Sequence, residues 1–246
     1  MTTARRRRLG LIVPPAGHVV PSEAEEVVGE GIEVVALGLG IGAMAPEDFD
    51  RGLERLESSV QELLGIGADA ISVMGTSLTF YRGRAGNEAV LDRLRAAAGG
   101  LPVTTMSTSV VQALDRLRAH RVAVVAAYTE DMTARLVRFL AEHGLDVTSA
   151  VNFGIESISE VAGVQDEVLQ EAVLTALRKA GGADGAGRPD AVLISCGGLQ
   201  PGAVSRAIHR EFGIPVVSSS VDGMRGAAAL LPPNSFEGRT QGLPSR

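Results

Sequence analysis

One cysteine, one lysine, two tyrosines and no tryptophan occur in a chain of 246 residues. A lone cysteine excludes an internal disulfide and suits a reducing compartment, so a cytoplasmic location is expected. Aromatic residues make up 3% of the chain against 45% hydrophobic. The core must therefore be Val, Leu, Ile and Ala, the residues that buried parallel sheets prefer. The single lysine, Lys179, stands late in an amphipathic stretch beside Arg178, ahead of a glycine-rich loop. Such a place faces solvent, and Schiff-base or pyridoxal chemistry needs a lysine inside the site. His18, His120, His143 and His209 are scattered, with neither HExxH nor paired spacing. No metal site is expected.

Other absences narrow the partners. The formal charge is −6, which argues against a nucleic-acid binder, and the arginine run 5–8 reads as a solvated terminus. The apolar run 9–13 is stopped at once by Pro14, too short for a signal peptide or a membrane span. Glycines 38, 40 and 42 form a rich turn, but Pro46 follows four residues later. The dinucleotide and P-loop fingerprints are missing in the required context. No cofactor is expected.

What is present is a repeat. Residues 190–199 read DAVLISCGGL and residues 69–78 read DAISVMGTSL. Each is a short apolar run, hence a buried strand, opening into a polar, glycine-rich turn. Asp falls on Asp, Gly75 on Cys196, and Thr76 and Ser77 on Gly197 and Gly198. Leu101-Pro102-Val103 with its Thr/Ser run mirrors Ile214-Pro215-Val216 with Ser218, Ser219 and Ser220, and 9–15 mirrors 121–128. The period is too long for a solenoid. It predicts an α/β protein of two pseudo-symmetric lobes, each a parallel sheet flanked by helices, with the active site in the cleft between them. Residues 1–116 plus 221–246 are expected to form the first lobe and 117–220 the second.

Strands are predicted at 9–13, 32–37, 70–74, 102–106, 122–127, 147–152, 191–194 and 215–218. Helices are predicted at 46–65, 86–98, 109–119, 130–143, 166–180, 201–212 and 222–230, with an acidic segment near 21–23 and an exposed loop at 181–187. The stripe Phe49, Leu53, Leu56, Val60, Leu63 and Leu64 recurs at three and four residues, a core-facing pattern.

Cys196 is the residue the cleft is expected to use. Open α/β sheets bind ligands beyond the carboxyl ends of their strands, and a thiol there facing hydroxyl-bearing turns suits acid-base or nucleophilic work at a carboxylate-bearing carbon. IVPPAG, MGTSLTFYRG, TTMST, AAYTED and SCGGL together resemble the arylmalonate decarboxylase family, within the aspartate/glutamate racemase superfamily, over nearly the whole chain. Racemases and maleate isomerases of that superfamily carry a cysteine in both repeats. Here the first position is Gly75, the decarboxylase arrangement.

Elementary chemistry agrees. Racemisation needs a base on one face and an acid on the other. Decarboxylation needs no base to make the carbanion, because departing carbon dioxide leaves its electrons behind. It then needs one proton donor, and a thiol with a pKa near ~8.5 is mostly protonated at neutral pH. The resemblance implies a disubstituted, aryl- or alkenyl-malonate substrate, decarboxylated to a chiral monocarboxylic acid through an enediolate that Cys196 protonates. Thr76, Ser77, Tyr128 and the backbone N–H groups around Cys196 and Gly197 are expected to hold the enediolate oxygens, with Gly75 opposite the thiol. Pro14, Pro15, Ile41, Met44, Phe49, Ile158 and Val161 are expected, by resemblance, to form the apolar pocket for the leaving carboxylate.

Each residue has a plainer reading. Cys196 can be a small buried hydrophobe, Thr76 and Ser77 can cap the following helix, Tyr128 can close a strand, and the pocket residues can be core. For the whole chain, a racemase or isomerase and a non-catalytic two-lobe protein that holds a small acid are the competing functions. The expected partner is a small dicarboxylate, with no nucleic acid and no membrane. These motifs do not set the oligomeric state.

Overall fold

A computed structural model describes residues 6–17, 26–29, 31–182 and 187–231. The acidic segment at 21–23, His18, residues 183–186 of the exposed loop and the chain from Pro232 lie outside the described residues. The apolar runs form eight parallel strands in two sheets. The first holds β1 (Arg7–Val13), β2 (Ile32–Gly38), β3 (Ala70–Val73) and β4 (Val103–Thr105) in the order β2-β1-β3-β4. The second holds β5 (Arg121–Ala126), β6 (Asp146–Asn152), β7 (Ala191–Ser195) and β8 (Val216–Ser218) in the order β6-β5-β7-β8. Adding four to each number of the first order gives the second.

The repeated sequence marks have repeated jobs. The Asp69 carboxylate accepts the Arg8 N–H at 2.7 Å, and the Asp69 N–H donates to the Arg8 carbonyl at 2.8 Å. Asp190 does the same to Arg121, at 2.8 and 2.7 Å, and also accepts the His120 N–H. Each aspartate thus fixes where the central strand of its sheet begins. Pro102 and Pro215 donate no N–H, yet their carbonyls accept from Ile71 and Val192, starting the next ladder in each sheet.

The helices are α1 (Pro46–Leu53), α2 (Leu56–Ile66), α3 (Thr76–Phe80), α4 (Gly83–Ala97) and α5 (Met106–Arg116) in the first half. The second half holds α6 (Glu130–Glu142), α7 (Asp166–Lys179), α8 (Gly202–Phe212) and α9 (Ser219–Ala228), with a 3₁₀ turn at Ile158–Gly163. Thr105 and Ser218, at equivalent places, cap α5 and α9 by accepting the N–H three residues on. The helix expected at 46–65 is two helices. At 54–55 the chain tightens, and the Arg55 N–H donates to the Gly52 carbonyl at 3.1 Å. The three-residue step leaves Phe49, Leu53, Leu56, Val60 and Leu63 buried on one side. The one-turn α3 was not anticipated, being too short to show a period.

Two structures join the halves. Helices α5 and α9 pack face to face, and α9 touches β3 and β4 as well as β7 and β8. Their approach is close: a Cβ on Gly226 would fall 2.3 Å from the Ser109 Oγ. At the other side, the loop after β2 pairs with the loop after β6. Ala43 and Ser157 form an antiparallel bridge, flanked by Met44 N–H to Glu156 carbonyl (2.8 Å) and Ile158 N–H to Gly42 carbonyl (2.9 Å). Among the described residues no helix is long and apolar enough to cross a membrane.

Candidate active site

The turns after β3 and β7 share a neighbour in Met106, whose sulfur accepts the Thr76 hydroxyl at 3.0 Å and whose Cε would lie 3.0 Å from a Cβ on Gly197. In the first half, β1 stops at Pro14, and the loop after β2 follows it, with Leu39 N–H on the Val13 carbonyl and Ile41 N–H on the Pro14 carbonyl. Gly38 permits this: a Cβ there would stand 2.3 Å from the Pro15 carbonyl oxygen. Pro14 in turn lies over Gly75, whose own Cβ would meet the Pro14 Cγ at 2.7 Å. Gly75 is the N-cap of α3, with extended backbone and no side chain to cap it.

In the second half, β5 runs into Tyr128, whose carbonyl accepts the Gly154 N–H at 3.1 Å. The Tyr128 side chain is fully buried, edge-on to Phe80 with ring centroids 5.5 Å apart. Its hydroxyl lies 3.2 Å from the Ser195 Oγ and also reaches Thr76 and the Cys196 thiol. One hydroxyl therefore bonds Ser195 at the end of β7 and feels Thr76 from the first half. The thiol is half-buried and takes hydrogen bonds from the Gly198 N–H and from Tyr128. Burial pushes the thiol up to about 11, the two hydrogen bonds pulling the other way. Burial, with the neighbouring Cys196 charge, likewise raises Tyr128 well above the ordinary phenol value. Both groups keep their protons at neutral pH and are donors.

Thr76 and Ser77 are buried at the start of α3. Capping is not what the Thr76 hydroxyl does, for it donates to the Met106 sulfur at 3.0 Å. The Ser77 carbonyl accepts the Tyr81 N–H. Gly197 packs against Met106, and Gly198 against Val161, whose Cγ1 would sit 3.1 Å from an added Cβ. Ile41, Met44, Phe49 and Val161 are buried in one continuous apolar cluster, on which Ile158 and Cys196 also pack. Pro14 and Pro15 are half-buried at its edge. Phe49 is the deepest of these, fully buried and edge-on to Tyr81 at 5.3 Å. The 3₁₀ turn carrying Ile158 and Val161 borders an open cleft of about 340 Å³ that also includes Gly198 and Gln200.

Two further residues near the thiol and Thr76, Ser195 and Met106, are not among the candidates that the sequence offers. Ser195 has a signal, being the residue before the lone cysteine, but a strand serine gives no hint of which way it faces. Met106 has none. Among the described residues no cluster of His, Cys, Asp and Glu is placed to hold a metal ion.

The arylmalonate decarboxylase family model matches residues 9–242. The chain belongs to the arylmalonate decarboxylase family. It is 38% identical over 230 residues to the arylmalonate decarboxylase of Bordetella bronchiseptica, covering 94% of this chain and 92% of that one. Among solved structures, a glycine-to-cysteine, cysteine-to-serine double mutant of arylmalonate decarboxylase in the liganded form superposes with a TM-score of 0.83. It is 36% identical, covering 91% of this chain and 92% of that chain. The maleate isomerase Iso from Pseudomonas putida S16 has a TM-score of 0.78 at 19% identity, covering 89% and 90%. That likeness shows a shared fold. The family is one of carboxy-lyases, the class of enzyme that the resemblance implies.

Proposed function

We propose that this protein decarboxylates disubstituted aryl- or alkenyl-malonates, without a cofactor, to one enantiomer of the monocarboxylic acid. The observation that carries the reading is the reach of the Tyr128 hydroxyl to both Thr76 and Cys196. A hydroxyl turn and a single protonated thiol beside one phenol support this chemistry.

The bond from the α-carbon to one carboxyl group breaks, its electrons staying on carbon as carbon dioxide leaves. The retained carboxyl becomes an enediolate with two anionic oxygens. Thr76, Ser77, Tyr128 and the backbone N–H groups around Cys196 and Gly197 hold those oxygens. A preorganised donor of this kind contributes about 2.7–4 kcal/mol to a transition state. The leaving carboxylate lies against Pro14, Pro15, Ile41, Met44, Ile158 and Val161, with Phe49 behind them. It is poorly solvated there and gains by becoming neutral carbon dioxide. Cys196 then gives its proton to the α-carbon, and the thiolate, a strong base in this burial, recovers one from water.

The test is carbon dioxide release from phenylmalonate and α-methyl-phenylmalonate, before and after exhaustive EDTA treatment, with maleate and single-enantiomer product acids as controls. Release insensitive to EDTA, with one enantiomer in excess, is expected. Turnover of maleate alone, racemisation alone, or dependence on added zinc or magnesium refutes it.

A further inference from the structure

The acceptor of the Thr76 hydroxyl is the Met106 sulfur, at 3.0 Å. Met106 opens α5 and is 2% exposed. Its side chain lies between the two strand-end turns. A Cβ on Gly197 would fall 3.0 Å from the Met106 Cε and 3.3 Å from its sulfur, and one on Gly223 would fall 2.8 Å from its Cγ. The same side chain therefore holds a hydroxyl of the first half and the glycine turn of the second. The equivalent place in the other half, after the cap Ser218, is Ser219, so the sulfur belongs to one side of the seam.

A thioether can only accept, which fixes the polarity of this bond. The Thr76 proton points at sulfur, while the single Tyr128 proton goes to the Cys196 thiol. Sulfur is also a weak acceptor, whereas hydrogen bonds to an anionic oxygen are about twice as strong as neutral ones. The hydroxyl is held in one orientation and is surrendered readily when an anionic oxygen arrives.

We propose that Met106 is a positioning residue: it holds the Thr76 hydroxyl at the turn, from where its proton swings from sulfur to an enediolate oxygen, and it seats the Gly197 backbone on the opposite side. This rests on the decarboxylase reading above. An apolar isostere fills the volume but cannot accept, so the Thr76 hydroxyl is no longer held at the turn.

The experiment is a double-mutant cycle on phenylmalonate turnover with Met106→Leu, Thr76→Val and both together, plus Met106→Gln. Met106→Leu is expected to lower kcat roughly 5- to 10-fold, about the worth of one hydrogen bond, with KM within about twofold. Met106→Gln, unbranched and carrying an oxygen acceptor, should recover most of that loss. In the Thr76→Val background the leucine change should alter kcat less than about twofold, since the bond is already gone. Equal losses in both backgrounds, or no loss in either, overturn the proposal. Should Met106→Leu fail to fold, the ¹³C-methyl resonance of Met106 decides it. A shift in Thr76→Val supports the contact, and an unmoved resonance overturns it. Wild-type turnover with a flat cycle removes Met106 alone, while a wild type that releases no carbon dioxide removes the decarboxylase reading.

Discussion

The Tyr128 hydroxyl lies 3.2 Å from the Oγ of Ser195, the residue just before Cys196. The ring is fully buried in the core, and in the proposed reaction the hydroxyl is a donor to the enediolate. Tyr128→Phe keeps the buried ring and its edge contact with Phe80 and removes only the donor. It should lower kcat about 10²-fold, and Ser77→Ala should do so similarly. Steady-state kinetics beside thermal melts are the check. Unchanged turnover in either variant returns that residue to a packing role.

The Cys196 thiol gives a pH signature. Its value is pushed up to about 11 by burial, so a reaction that needs the protonated thiol should hold its rate through pH 9 and lose it only near 11. The raised value favours the folded state fully below the ordinary thiol range, and the advantage is lost as pH rises from there through about 11. Because Cys196 is the only cysteine, iodoacetamide alkylation reads it directly. The reaction should be slow at pH 8 and accelerate above 10. Fast alkylation at pH 7 would show a thiolate instead.

Moving the thiol tests the pairing of the two turns. Cys196→Ala should nearly abolish product, and Gly75→Cys combined with Cys196→Ser should restore weak activity of the opposite hand. The weakness has a visible source, since the new Cβ meets the Pro14 Cγ at 2.7 Å and the Leu78 Cβ at 3.1 Å, so the Pro14 turn must shift. Gly75→Cys alone should racemise the product acid slowly. Chiral chromatography of products made in heavy water is the measurement, and unchanged hand in the relocated-thiol variant refutes the pairing.

The aspartate clamps predict stability without activity. Asp190→Ala frees the N–H groups of His120 and Arg121, at about 1 kcal/mol, or roughly 2–4 °C in Tm for a chain of this size. Asp69→Ala should cost about as much, and neither should change kcat. The Arg121 N–H above all, and then that of His120, hold the Asp190 carboxyl below the usual range, against burial. Its contribution is present above the ordinary carboxylate value and lost as pH falls below it.

Much of the site was legible because it is written twice. The motifs DAISVMGTSL and DAVLISCGGL place Gly75 and Cys196 at matching strand ends, with Thr76 next to the first, and the packing of α5 on α9 and the bridge of Ala43 with Ser157 join the two halves. The one-turn α3 and the 3₁₀ turn at Ile158–Gly163 were not legible. Segments of five and six residues cannot display a hydrophobic period, and packing against the seam decides their shape. The break at 54–55 was hidden because the buried stripe continues through it.

By itself the sequence determined two parallel α/β halves, their lone thiol and its missing counterpart at Gly75. Apolar strand runs, paired aspartates and glycine turns act locally, each within its own repeat. Only the tertiary structure decided what surrounds the thiol. The contacts of Tyr128 with Thr76, Ser195 and Cys196, and of Met106 with Thr76 and Gly197, join residues 30 to about 90 positions apart. Directional hydrogen bonds and side-chain burial at the seam exist only once both sheets are in place, so no local pattern carries them.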